Sequence, residues 1–243
     1  RVQLLQSALF DQYQRWFPLQ TPASALVDVV DIDEASLAHL GQWPWPRDVL
    51  ARLQDRLHAA GARVVAWDML FAERDRTSPA LLADNDKVPA SLRPVLRELP
   101  DHDDLFAASL RRGSSVLSFS LADSALPPDE SLPAARFLLR GEADIAIPHS
   151  VGAIFPLPQL QGAATVGSIN FLPDEDGVVR RVPMVVRVGD VLAPALSLEV
   201  LRRVQNAGSF VIQPHAVAGL EVRVGRLGVP MSPSGEAWGY FAP

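Results

Sequence analysis

ALVDVVDIDEASLAHLGQWPWPRDVLARLQDRLHAAGARVVAWDMLF, residues 25–71, decides the fold. Ala25 to Asp33 is a short apolar run rich in Val, the composition of a buried strand. Glu34 to Leu40 reads as a short helix, with Asp33 as N-cap and Gly41 as its stop. WPWPRD interrupts, and Pro46 suits the first turn of a second helix. Leu50, Leu53 and Leu57 mark the buried stripe of that helix, and Gly61 ends it. Ala62 to Phe71 is another buried strand. Strand, helix and strand in about 45 residues compose a βαβ unit, which is right-handed with parallel strands.

Downstream, Glu73 to Pro100 is polar, Pro-containing and irregular, a long loop with room for one helical turn. Asp101 to Arg112 reads as a helix with Leu105, Phe106, Ser109 and Leu110 on one face. Ser114 to Leu121 is a third strand, and Ala122 to Pro158 is again loop-rich. Thr165 to Phe171 is a strand. Val178 to Val188 alternates, with Val178, Val182, Met184, Val186 and Val188 on one face and a two-residue turn at Gly189-Asp190. Ala195 to Gln205 is a helix ended near Gly208. Strands at Ser209 to Gln213 and Leu220 to Val224 precede a Pro/Gly-rich tail. The fold class is therefore mixed α/β: a small parallel-sheet βαβ lobe with long insertions, then a mixed or antiparallel strand region packed on helices. The lobes divide at about 21–160 and 161–243. Upstream, Leu5, Leu9, Tyr13 and Trp16 recur at helical spacing until Pro18, which is either a core helix or a stalk leading out of a membrane helix.

With 48% hydrophobic and 21% charged residues the chain is a folding one. Its net charge of −6 disfavours nucleic acid and anionic lipid as partners. The absence of cysteine excludes disulfides, thiolate metal sites and Cys nucleophiles. Arg at position 1 reads as a fragment or processed chain, and no apolar run of about 18 residues is present to span a bilayer.

Three constellations could carry chemistry. Asp31 and Asp68 stand near the C-terminal ends of the expected parallel strands, the edge where open α/β sheets bind ligands, and Asp33 shares a face with Asp31. These carboxylates, with Glu34, either hold a cation or position a water, or they cap helices and pair with arginines such as Arg47. A hydrolase built on Asp31, Asp33 and Asp68 lacks a nameable base and electrophile. Trp43-Pro44-Trp45-Pro46-Arg47 either clamps a small ligand with indole faces and a guanidinium, or lids the core with Arg47 against Asp31 or Asp68. Asn170 with Asp174, Asp176, Gly177, Arg180 and Arg181 fails as a calcium loop, because Leu172 and Pro183 fall where carboxylates are required; a tight acidic turn is the alternative. Histidines 39, 58, 102, 149 and 215 lack metal-ligand spacing. No catalytic residue, metal or cofactor is expected.

Residues 29–53 (VVDIDEASLAHLGQWPWPRDVLARL), 61–71 (GARVVAWDMLF), 167–183 (GSINFLPDEDGVVRRVP) and 193–202 (APALSLEVLR) together resemble the CHASE type 2 domain, the cyclase/histidine-kinase-associated sensory extracellular domain. The resemblance runs from about Leu26 to Pro243, and ALFDQYQRWFP is similar to the segment joining such a domain to a first membrane helix. It implies a sensor on the periplasmic face of a bacterial inner membrane, anchored by flanking transmembrane helices outside this stretch. It also implies a cytoplasmic output that is an adenylate or diguanylate cyclase, a histidine kinase or a Ser/Thr kinase. Its signature positions here include Asp31, Asp33, Trp43, Trp45, Arg47, Asp68, Asn170 and Arg180, the candidate ligand residues, for an unidentified small-molecule or protein signal. A homodimer packed along Arg1 to Phe17 is expected. The competing reading is a protein-binding ectodomain that uses the two long insertions as its surface.

Overall fold

A computed structural model describes residues 2–18, 26–123, 135–141, 145–147, 149–171 and 173–240. In chain order the elements are α1 (Val2–Trp16), α2 (Glu34–Leu40), α3 (Arg47–Ala59), β1 (Val65–Trp67), α4 (Pro79–Ala83), α5 (Arg93–Glu98), α6 (His102–Arg112), β2 (Ser115–Ala122), β3 (Phe137–Leu139), β4 (His149–Ser150), β5 (Gly152–Ile154), α7 (Pro158–Gln161), β6 (Thr165–Ser168), β7 (Arg181–Pro183), β8 (Val185–Val188), β9 (Val191–Pro194), α8 (Leu196–Val204), β10 (Phe210–His215), β11 (Gly219–Val224), β12 (Leu227–Met231) and β13 (Glu236–Trp238).

The mixed α/β class holds. β1, β2 and β6 run parallel, and β5 joins the C-terminal half of β2 antiparallel. The realised βαβ unit is β1–α6–β2, one step later than the sequence suggests. Its core forms where α3 and α6 lay Leu50, Phe106 and Leu110 against Trp67, Leu117 and Phe119. Gln54 shows why α3 sits in register: its buried amide accepts from Trp67 Nε1 at 2.8 Å and donates to Ser115 Oγ. Ser109 Oγ on α6 donates toward Ala51 O and Asp55 of α3, so the two helices are also bonded to each other.

The second region is the four-stranded sheet β12-β11-β10-β3, covered by α8, with the β4-β8-β9 sheet and the β7–β13 pair beside it. Leu198, Phe210, Ile212, Val222 and Met231 form its core. The two regions meet at α8, whose first turn crosses β6. A Cβ on Gly167 would lie 2.5 Å from Leu196 Cα, so this close approach requires glycine.

Several expectations are corrected. Residues 26–33 form no strand, and Leu26, Val27, Val29 and Val30 are exposed; no ladder partner bonds them among the described residues. Ala62 to Phe71 yields only the three residues of β1. Glu73 to Pro100 contains two helices, α4 and α5, each opened by a proline in its first turn. Leu105 is exposed while Phe106, Ser109 and Leu110 are buried. The strand from Thr165 ends at Ser168. Val178 is exposed, and Val185 is buried beside Met184 and Val186, because Val182 to Val188 is split between two sheets. The Pro/Gly-rich tail supplies β12 and β13. The Asp33 cap, the Gly41 stop and the Gly189-Asp190 turn are as expected: Asp33 Oδ1 accepts from Ser36 N at 2.8 Å, and Gly41 and Gly189 have φ of 94° and 54°.

Candidate functional site

The eight candidate residues do not gather into one site. Asp31 and Asp68 are exposed and, among the described residues, make no hydrogen bond or ion pair. Asp33 is spent on capping α2, and its hydrogen bonds from Ser36 hold its carboxyl below the usual range. The expected acidic edge therefore does not assemble into a cation cage.

Trp43, Trp45 and Arg47 lead into α3. The bond from Trp43 to Pro44 is cis. Trp45 is buried, its Nε1 donating to Gly41 O at 2.8 Å, and Trp43 lies edge-on to it, partly exposed. Arg47 pairs with neither Asp31 nor Asp68. Its guanidinium lies over the Phe71 ring and donates to Asp103, which is 0% exposed, and to the Glu73 carbonyl. Asp103 is presented there by the first turn of α6, whose N-cap is Asp101. A second carboxylate, Asp75, accepts the Arg47 backbone N–H at 2.7 Å and faces His102 Nδ1 at 3.2 Å. Burial pushes the Asp75 carboxyl up, but donors from Arg47, Thr77 and His102 outweigh it and leave the pKa lowered. This centre fits the lid-and-core alternative, with Asp103 and Asp75 as unforeseen partners.

Asn170 fastens strand ends. Its Oδ1 accepts from Leu121 N at 2.7 Å and from Ser168 Oγ, while Nδ2 donates to Ser120 Oγ.

Arg180 is the centre with reach. Its side chain is 5% exposed and meets three carboxylates. Nε and Nη2 donate to Asp11 on α1 at 2.7 and 2.8 Å, Nη1 and Nη2 to Asp176, and Nη1 also to Asp174. Arg181 adds Asp174 at 2.7 Å and Glu236 on β13 at 3.1 Å. Ser7 of α1 donates to Asp174, and Phe10 packs against Trp238 and Tyr240. The turn that aims Arg180 forms because Gly177 takes φ 80° and Asp176 accepts from Val178 N. Hydrogen bonds from Arg180 lower the Asp11 carboxyl and bring Asp176 to about 2; Arg181 does the same for Asp174. Arg180 is held protonated, by Asp11 above all.

A cavity of about 220 Å³ opens beside this clamp, lined by Gln6, Ser7, Glu175, Arg181 and Trp238 among others. Asp11 and Arg180 lie 169 residues apart. No sequence spacing announces that pair, although the acidic turn that holds Arg180 was visible. The arrangement holds α1 against the acidic turn; it offers no nucleophile with a paired base among the described residues.

The CHASE2 domain family model matches residues 1–242. No curated protein and no solved structure gives a significant match. Family coverage of essentially the whole chain, on a fold whose signature arginine clamps an N-terminal helix, shows that this chain belongs to the CHASE2 domain family, a sensory domain family found in receptor proteins.

Proposed function

We propose that this domain senses a signal on the periplasmic side of a bacterial inner membrane, and that α1 carries the response to a membrane-anchored output. The output would be a nucleotide cyclase, adenylate or diguanylate, or a histidine or Ser/Thr kinase. The observation that supports this reading is the clamp of Asp11 by Arg180: the N-terminal helix is held by charged groups, with Phe10 packed against Trp238 and Tyr240. A helix held mostly by part-exposed ion pairs can be displaced by a modest difference in ligand affinity between two states. The outward side of α1 carries Leu9, Tyr13 and Trp16, all exposed, at spacings suited to a second copy of the helix. That favours a homodimer along α1.

The test pairs Asp11→Asn and Arg180→Ala in a membrane-anchored receptor carrying this domain. The expected result is that both variants shift basal output in the same direction and raise amide exchange across α1. Unchanged output with a loosened α1 would sink the transmission role.

A second reading, the protein-binding ectodomain, is favoured by one feature. In and around α5, Leu92, Val95 and Leu99 are exposed at positions that share a helical side.

A further inference from the structure

Residues 27–32, VDVVDI, are strand-like in composition, yet they lie in no helix or strand and have no ladder partner among the described residues. Leu26 is 100% exposed and Val29 89%, with Val27 and Val30 also largely in water. Apolar residues on both sides of such a segment suit a parallel strand covered on both faces. Leaving four of them in water is unfavourable in proportion to their area.

The sheet offers one place that fits. Among the described residues β1 is bonded along one edge only, to β2, so its outer edge has no strand partner. That edge belongs to the same region as the segment's own anchor: Ile32 already packs on the core cluster containing Val65 and Trp67. The chain from Ile32 returns to β1 through α2 and α3, the connection that a right-handed parallel crossover needs. The faces also agree. Alternation from Ile32, which is partly buried against the core, places Val30 on the core side and Val29 on the opposite side; on β1, Val65 and Trp67 are buried and Ala66 is exposed.

We propose that residues 27–32 form a strap that docks in parallel on the free edge of β1 in a second conformational state. The strap hinges at Ile32, and its far end is tied to α1 by residues 17–26, ten residues that span at most about 35 Å. Movement of α1 relative to the sheet therefore bears on whether the strap is seated. The inference does not require the clamp to transmit a signal; it requires only that the two unpaired edges meet.

Cysteine trapping tests it cleanly, because the chain has no cysteine of its own. Val29→Cys with Ala66→Cys, and in parallel Val27→Cys with Ala66→Cys to cover the alternative register, are oxidised in the purified domain at low protein concentration. Val29→Cys with Val217→Cys, the latter in an exposed turn, measures random encounters. Docking brings neighbouring Cα atoms into disulfide range. The expected result is a bond within one chain in one of the test pairs, formed at least about tenfold faster than in the control and slowed by adding Val30→Asp. Amides of residues 27–32 in the unmodified chain should also exchange more slowly than those of the Val30→Asp variant, a readout that survives if the cysteine variants fold poorly. Linkage no faster than the control, together with exchange that Val30→Asp leaves unchanged, overturns the proposal. Linkage between two chains overturns it as well, since the edge would then be filled by strand exchange.

Discussion

Arg47 and Arg180 are both nearly out of water and both face carboxylates, yet they join different things. Arg47 ties the start of α3 to the start of α6 and to the loop after β1, all within one core. Its partner Asp103 is wholly buried. Arg180 ties α1 to an acidic turn, and its partners Asp11 and Asp176 keep more than a third of their side-chain surface in water. Removing one member of a buried pair leaves an uncompensated charge, whereas a pair with wet carboxylates is screened and can re-solvate. The same side chain thus serves as a fold staple in one region and as a joint in the other.

The largest effect should come from Arg47→Ala. Asp103 would remain buried, with Asp75 N as a weak donor at 3.2 Å. The expected loss is about 3–5 kcal/mol of unfolding free energy, read as a lower denaturation midpoint for the whole domain. A loss below about 1 kcal/mol would erase the contrast with Arg180.

Arg180→Ala should cost less, on the order of 1–2 kcal/mol, because its carboxylates regain water. The effect should be confined: amide exchange should rise in α1 and at residues 174–181, while α3 and α6 stay protected. Uniform loss of protection would make Arg180 a second staple.

Acid sharpens the same contrast by its sign. Asp11, Asp174 and Asp176 have folded pKa values below the ordinary carboxylate value of 3.8, Asp176 at about 2. Depressed carboxylates contribute stability that is present above about pH 4 and lost as pH falls toward 2. The clamp should therefore be flat from pH 5 to about 8 and loosen only in strong acid. Tryptophan fluorescence, followed in the unmodified chain and in Trp238→Phe, isolates the contribution of Trp238 among the five tryptophans. High salt near pH 7 should weaken the α1 clamp while sparing the Arg47 centre.

The local rules in this sequence were legible. Asp33 and Gly41 bound α2, Leu50 marks the buried side of α3, and Gly189 turns β8 into β9, because capping and turn chemistry act over a few residues. What failed was nonlocal. The run from Leu26 to Ile32 has every property of a strand except a partner, and pairing is a property of two segments. The stretch from Glu73 to Pro100 looks like loop, yet Pro79 and Pro94 stand in the first turns of α4 and α5, since a first-turn proline opens a helix as readily as one beyond its end stops it. In the site, Trp43, Trp45, Arg47 and Arg180 were visible as unusual residues. Their partners Asp103, Asp75 and Asp11 were not, because one carboxylate among 28 acidic residues carries no mark of which arginine it will meet.

The smallest effect is expected where the sequence looked most like a ligand edge. Asp31 and Asp68 have no partner among the described residues and stand in water. Asp31→Asn and Asp68→Asn should each change stability by no more than about 0.5 kcal/mol, the range for surface sites without special contacts. The double variant should be additive, since the structure provides no ion pair or hydrogen bond between them. Two exposed carboxylates that converge in another state would behave differently. Their mutual repulsion would be relieved by neutralising either one, so each single would stabilise and the double variant would gain less than the sum of the singles, which would reveal a shared site. Denaturation midpoints of the two singles and the double, measured at low and high salt, decide it: additivity at both salts leaves these residues as ordinary surface, in contrast to both arginine centres.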